Sequence, residues 1–245
     1  MSSFTAIAWP TDGPGRRASA GTREADGWYV SFQTETEVET PGQAQGSIIG
    51  LDRGVAVFAA TSDGELIEPV AFDRQRAKLA RLQRRLARKT KRSENWGRLV
   101  AKIARLHQKI GRRRLDFLHK LSTRLGKSHA AVVLENLSIG NKTRSAKGTR
   151  EEPGTHVAAK SGLNRAILDQ GWGTFARLLE YKLAVAGGTL LFVPAAGSSQ
   201  ECSACGQRDA NNRVSRDLFV CQACGYTGHA DINAAKVILR RGIAA

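Results

Sequence analysis

The sequence predicts an α/β fold that carries a basic helical hairpin and a four-cysteine ribbon. Three observations carry this. Short β-rich runs near 46–70, 130–136 and 189–194 alternate with segments of helical periodicity. One of those helical segments, 72–127, holds the entire excess of positive charge. Near the end, the knuckle Cys202-Ser-Ala-Cys205 recurs fifteen residues later as Cys221-Gln-Ala-Cys224.

Taken in order, residues 1–20 contain no apolar run long enough for a signal peptide or a membrane span, and residues 1–45 read as a disordered leader plus one strand. That strand, Trp28 to Gln33, stands alone in sequence. From Gly46 to Ala60, two buried strands turn at Gly54, and Ser62-Asp63-Gly64 turns into a third over Leu66 to Val70. Asp52 ends the first strand. It reads equally as a turn former before Gly54 or as an acid that is paired or bound to metal.

Residues 72–127 switch to helical spacing, with Leu79, Leu82 and Leu86, then Leu99, Ile103, Leu106 and Ile110, then Phe117, Leu118, Leu121 and Leu125 on one stripe. A helical hairpin with its turn in Arg88 to Gly97 is the simplest account. The segment carries 20 Lys and Arg against 3 acids, within a chain of net charge +16. Such an imbalance repels itself unless a polyanion screens it, so the hairpin is expected to bind nucleic acid. The candidate contacts are Arg81, Arg84, Arg85, Arg88, Lys89, Lys91, Arg92, Arg112, Arg113 and Arg114.

Ala130 to Asn136 is a fourth buried strand, and it too ends on an acid, Glu135. The plain alternative for Glu135 is a surface residue at a strand edge. Residues 138–162 read as a mobile loop and 163–186 as a helix, within which Trp172 is expected in the core rather than stacked on a base. Thr189 to Pro194 is a fifth strand. A last helix over 231–241 begins at Asp231, a placement that also suits a plain N-cap.

Asp52, Glu135 and Asp231 thus come from three separated segments, each at an element end. If they converge they repel each other unless cations lie between them. Mg2+ is the natural occupant, in a two-ion arrangement that can cleave a phosphodiester. No Ser/His/Asp set or Walker lysine spacing competes.

Two Cys-x-x-Cys pairs at this separation, with no other cysteine in the chain, are a strong signature of structural zinc held by Cys202, Cys205, Cys221 and Cys224. A redox pair is the weaker alternative. Thiols used this way argue for a reducing compartment, and a zinc ribbon over 198–228 would serve to position Asp231. His229 is expected to be a bystander.

The chain resembles the TnpB/OrfB family of transposon-encoded proteins, relatives of the type V CRISPR effectors. The resemblance is carried by Gly50-Leu-Asp52-Arg-Gly54, Leu79-Ala-Arg-Leu-Gln-Arg-Arg-Leu86, Asp116-Phe-Leu-His-Lys-Leu-Ser122, Val133-Leu-Glu135-Asn-Leu137, Ser198-Ser-Gln200 before the first knuckle, and Asp231-Ile-Asn233-Ala-Ala235. It implies an RNase H-like, RuvC-like nuclease domain over 46–245, a mixed sheet into which the basic helical hairpin and the four-cysteine zinc ribbon are inserted, with Asp52, Glu135 and Asp231 as its catalytic acids. It further implies an RNA-guided DNA endonuclease, with DNA and a guide RNA from the transposon end as partners. A separate transposase encoded by the same element is a further partner, and no membrane is involved. Family members carry a barrel and a helical recognition domain before the first catalytic acid. Here 51 residues precede Asp52, so the expectation is an N-terminally truncated member whose strand at Trp28 is the remnant of a missing barrel. The alternative is a non-catalytic nucleic-acid-binding remnant that regulates its element. The expected location is the cytoplasm of a bacterium or archaeon, at the nucleoid.

Overall fold

A computed structural model describes residues 16–34 and 41–244; of the expected leader, residues 1–15 lie outside them. The chain divides into two compact units, one from residues up to 40 together with 72–112, the other from 41–71 together with 113–245. No helix of the described residues is long and apolar enough to cross a membrane.

In the first unit, β1 (Arg16–Arg23) pairs antiparallel with β2 (Trp28–Thr34). The strand that looked solitary therefore has a partner, formed partly from residues assigned to the leader. β1 escaped notice because Arg16-Arg-Ala-Ser-Ala-Gly lacks the β-branched and aromatic content of a strand. After it come α1 (Asp73–Ala87) and α2 (Glu94–Ser128). Asp73 and Glu94 occupy first turns and Arg84 and Arg85 the last turn of α1, which suits the helix dipole. The link is shorter than the polar run suggested, 88–93, with Arg92 at φ 66. Leu82, Leu99, Leu106 and Ile110 are buried.

The second unit is built on a five-stranded sheet in the order β5-β4-β3-β6-β7, formed by β3 (Ser47–Arg53), β4 (Ala59–Thr61), β5 (Leu66–Ile67), β6 (His129–Asn136) and β7 (Thr189–Pro194). The sheet is mixed: β3, β6 and β7 run parallel, while β3, β4 and β5 are antiparallel. The expected third strand over 66–70 shrinks to two residues because Pro69 ends its pairing. Successive residues of β6 face opposite layers. Val132 and Leu134 join Ile49, Leu51, Phe58, the α2 residues Leu118, Leu121 and Leu125, and Phe175, Leu179 and Leu183. Val133 turns the other way, to Val193 and Ile238. Ile238 lies on α6 (Ala230–Ile243), so helices cover both faces.

Gly50 sets the distance between sheet and helix. A Cβ there would lie 2.4 Å from the carbonyl oxygen of Ala235 and 2.6 Å from the nitrogen of Leu239, so only glycine lets α6 approach β3 this closely.

Two expectations are corrected between β6 and β7. The stretch 138–162 is not one loop: it holds α3 (Ile139–Lys142), a bridge between Gly148 and Pro153, and the start of α4 (Val157–Gln170). The helix expected over 163–186 is two helices, α4 and α5 (Trp172–Val185), broken where Gly171 takes φ 71. Periodicity alone cannot see a one-residue break.

Candidate active site and cysteine cluster

In the parallel pair β3/β6, Gly50 lies opposite Val133 and Leu51 opposite Leu134. One step further along each strand stand Asp52 and Glu135. The two-residue alternation puts Asp52 on the face of Gly50 and Glu135 on the face of Val133, which is the face α6 covers. Asp231 lies in the first turn of α6. Three acids from three segments therefore gather at the carboxyl ends of parallel strands, where open α/β sheets commonly place their ligands.

The electrostatics reflect this gathering. Burial pushes the Asp52 carboxyl up to about 7, and the neighbouring charges of Glu135 and then Asp231 push the same way, against Arg213 and Arg53. Glu135 is buried, on a central strand rather than an edge, and its Oε1 accepts from Ser198 Oγ. Its backbone oxygen accepts from Arg53 Nη2. Arg53 is itself buried, which lowers its guanidinium to about 10, and its Nε has no partner among the described residues. Arg213 Nη2 donates to Asp231 Oδ1 and to the backbone oxygen of Arg216, both at 2.8 Å.

His229 has a structural place beside the acids: its Nδ1 accepts from the backbone N–H of Asp231 at 3.2 Å, capping α6. Ser198 belongs to a stretch singled out from the sequence, though for resemblance and not for this contact. Arg213 carries no sequence signal at all.

The three carboxylates do not draw together as closely as the four cysteines. Among the described residues, only the four cysteines make a His/Cys/Asp/Glu group compact enough to hold one ion, their ligand atoms all within 4.8 Å of one another. Cys202 Sγ and Cys224 Sγ are 3.8 Å apart, and Cys205 Sγ and Cys221 Sγ 3.5 Å. Four sulfurs each about 2.3 Å from zinc would be about 3.8 Å apart, so the donor set and its spacing fit that ion. The two knuckles share one backbone pattern. Cys202 N donates to Gln207 O at 2.9 Å and Gly206 N to Cys202 O at 2.9 Å; Cys221 N donates to Tyr226 O at 2.8 Å and Gly225 N to Cys221 O at 3.0 Å. Backbone N–H groups of Cys224 and Ala223 pull the Cys221 thiol down, while the Cys224 thiol is pushed up, against the backbone N–H of Tyr226, by Cys205, burial and Cys221, as expected where sulfurs crowd one another and share charge.

The ribbon also contains β8 (Leu218–Val220) and β9 (Thr227–His229), an antiparallel pair that leads directly into α6. Asn212, fully buried, donates to Gln200 O and accepts from Gln222 N. Asn233 on α6 donates to Glu201 O at 2.8 Å and accepts from Ser203 N at 2.9 Å. Glu201 also receives both Arg240 and Arg241. The first knuckle is thus strapped to the helix that carries Asp231.

In the first unit, α1 and α2 line a cleft of about 460 Å3 with Lys78, Arg81, Arg85, Lys102, Arg105 and Lys109 around Leu82 and Leu106. Of the ten basic residues named from sequence, Arg81 and Arg85 line this cleft. Arg84, Arg88, Lys89, Lys91, Arg92 and Arg113 are exposed. Arg112 is engaged otherwise, by Glu24 and by Asp26 at 2.6 Å, and Arg114 pairs with Asp169 at 2.7 Å. Arg112 and Gln108 hold the Asp26 carboxyl at about 2.

Residues 31–146 match the family model described as "Probable transposase", and residues 172–238 match the model "Cas12f1-like, TNB domain". Over 216 residues the chain is 51% identical to the Escherichia coli (strain K12) protein named "Putative RNA-guided DNA endonuclease InsQ", covering 88% of this chain and 54% of that protein. It is 36% identical over 220 residues to a Streptomyces pristinaespiralis protein named for the same activity, covering 89% and 50%. The chain therefore spans about half the length of these curated relatives. Its fold is like that in "Cryo-EM structure of the Cas12f1-sgRNA-target DNA complex", with a TM-score of 0.50 at 19% identity, covering 89% of this chain and 54% of the other.

Proposed function

Because the chain belongs to the TnpB/OrfB family, we propose that it is the nuclease portion of a transposon-encoded, RNA-guided DNA endonuclease. In this reading residues 46–245 form a RuvC-like domain, the basic helices over 72–127 are an insertion that grips nucleic acid, and 198–228 is a zinc ribbon. The observation that supports it most is the meeting of Asp52, Glu135 and Asp231 at one end of the β3/β6 pair, where Asp52 feels the charge of both other acids.

Asp52, Glu135 and Asp231 would hold Mg2+, two ions in the fullest form. The bound ions would activate a water and stabilise the leaving 3′-oxygen. The protein's own groups set up that chemistry. Ser198 fixes the rotamer of Glu135 by donating to one oxygen, leaving the other to coordinate. Arg53 anchors the end of β6 through the Glu135 carbonyl, so both strands present their acids from fixed backbone. His229 and the strapped knuckle fix the first turn of α6, and with it Asp231. Arg213 balances the charge of Asp231. Zinc in the four-cysteine site would hold the ribbon, and through it Arg213, against the catalytic end of the sheet.

DNA and a guide RNA are the proposed nucleic-acid partners, engaged by the exposed cations of α1 and its link to α2. The test is cutting of labelled DNA by purified protein with Mg2+ or Mn2+, beside Asp52→Ala. Metal-dependent cutting that falls at least about 100-fold in the variant supports the enzyme. Equal cutting by both overturns it and leaves a non-catalytic binder.

A further inference from the structure

In the first unit, a row of donors on α2 is occupied by the chain's own acids. Arg105, Gln108 and Arg112 follow one another at i, i+3 and i+7, so they share one face of the helix. The turn between β1 and β2 lies on that face. Arg112 Nη1 donates to Asp26 Oδ2 at 2.6 Å and its Nη2 to Glu24 Oε2 at 3.1 Å. Gln108 Nε2 donates to Asp26 Oδ1 at 2.6 Å and also to Glu24, and Arg105 Nε donates to the backbone oxygen of Ala25 at 3.3 Å. Tyr29 Oη donates to Asp26 at 3.1 Å, and the Arg112 guanidinium lies 5.2 Å from the Tyr29 ring. We propose that this row is a phosphate site for a nucleic-acid strand, that Glu24 and Asp26 stand in for phosphates while no strand is bound, and that a strand displaces the turn.

The donor chemistry suits the exchange. An arginine fork that grips a carboxylate grips a phosphate with the same geometry, and Gln108 and Tyr29 add neutral donors beside it. Between Glu94 and Asp116, α2 carries seven Lys and Arg and no acid, so the turn brings two carboxylates to a stretch that has none of its own.

The turn is held by charge and not by an apolar seat. Over residues 21–31 no residue is buried, and Trp28 and Val30 are 55% and 63% exposed. The Arg112, Glu24 and Asp26 side chains are themselves 35–48% exposed, within reach of water and salt. Ion pairs so placed are weak and screened. A strand offers a longer run of charges than two carboxylates, and the counterions it sheds favour its binding further. This site rests on the nucleic-acid reading of the basic helices and extends it to a face whose donors are already engaged.

The test follows amide hydrogen exchange of the full chain with single-stranded DNA, single-stranded RNA or inorganic phosphate. A two-stranded hairpin is marginal by itself, so its release from α2 should speed exchange at Arg23 to Ser31 when a strand binds, the reverse of the protection a covered surface gains. High salt without nucleic acid should do the same, while Val132 to Leu134 stay protected. Glu24→Gln combined with Asp26→Asn should tighten strand binding about 3- to 10-fold and steepen the logarithmic salt slope by about one. Arg112→Gln in that background should cancel the added slope and most of the gain. Release by both DNA and RNA assigns the site to the shared phosphate backbone, and release by one alone names the source. A bound strand that leaves the hairpin amides unchanged or slowed overturns the proposal while the nucleic-acid reading stands. A gain that survives Arg112→Gln overturns it too, since net charge then accounts for the effect. Release by inorganic phosphate as effective as by a strand overturns the strand as ligand. Failure of every strand to bind, with or without the two acids, overturns both readings together. The exchange measurements on the native chain depend on no variant.

Discussion

Arg213, from the ribbon, and Asp231, from the first turn of α6, meet at 2.8 Å with both side chains mostly withdrawn from solvent. This pair joins the zinc-fitting element to the acid cluster by charge. Removing Arg213 leaves Asp231 facing Asp52 and Glu135 without its cation. In chelator, Arg213→Gln should lose about 1–2 kcal/mol, or about 3–8 °C in melting midpoint. Added Mg2+ should narrow the gap, since an ion takes over the charge balance. Differential scanning fluorimetry with and without Mg2+ decides it, and a gap insensitive to Mg2+ would count against acids that share an ion.

The raised Asp52 carboxyl implies a definite pH behaviour for metal-free protein. Unfolded, Asp52 loses its proton near 3.8; folded, at about 7. Between those values the folded chain holds the extra proton, so stability falls as pH rises through the window, and the full penalty stands above it. Asp52→Asn removes that penalty. In chelator the variant should melt higher than the native chain at pH 8, and the advantage should vanish below about pH 4. An advantage equal at both ends would place its origin elsewhere.

Gly50→Ala tests the packing of α6 on β3. A methyl group 2.4 Å from the Ala235 oxygen forces the helix outward and moves Asp231 with it. The expected cost is about 3 kcal/mol, with loss of any cutting activity larger than the loss of folded protein. Circular dichroism melts beside the nuclease assay separate the two, and a fully active, fully stable variant would refute the close approach.

The ribbon has little core of its own: Cys202, Phe219, Cys221 and Ala230, with Tyr226 against them. It therefore depends on its metal. Elemental analysis of folded protein should return about one zinc per chain, and Cys202→Ser should bind markedly less. Stripping the zinc should expose amides of 202–228 to hydrogen exchange while those of Val132 to Leu134 stay protected. Uniform exchange across both regions would mean the ribbon and the sheet unfold as one.

Local pattern made much of this legible. Val132-Val-Leu134 could only be a buried strand, and two Cys-x-x-Cys knuckles in a chain with no other cysteine admit few uses. β1 was missed because its residues have little strand propensity and its pairing with β2 comes from a partner across a turn. The break at Gly171 was missed because apolar spacing continues through it.

By itself, then, the sequence determined the central strands β3, β6 and β7, the basic helical segment, the last helix, the cysteine set and three acids at element ends, since each depends on neighbours along the chain. Tertiary structure alone decided that β3 and β6 lie parallel side by side, that Gly50 admits α6, that Arg213 faces Asp231, and that Arg112 and Arg114 are already paired. Those are contacts between residues far apart along the chain, fixed by packing and charge balance across the folded molecule, which no local window contains.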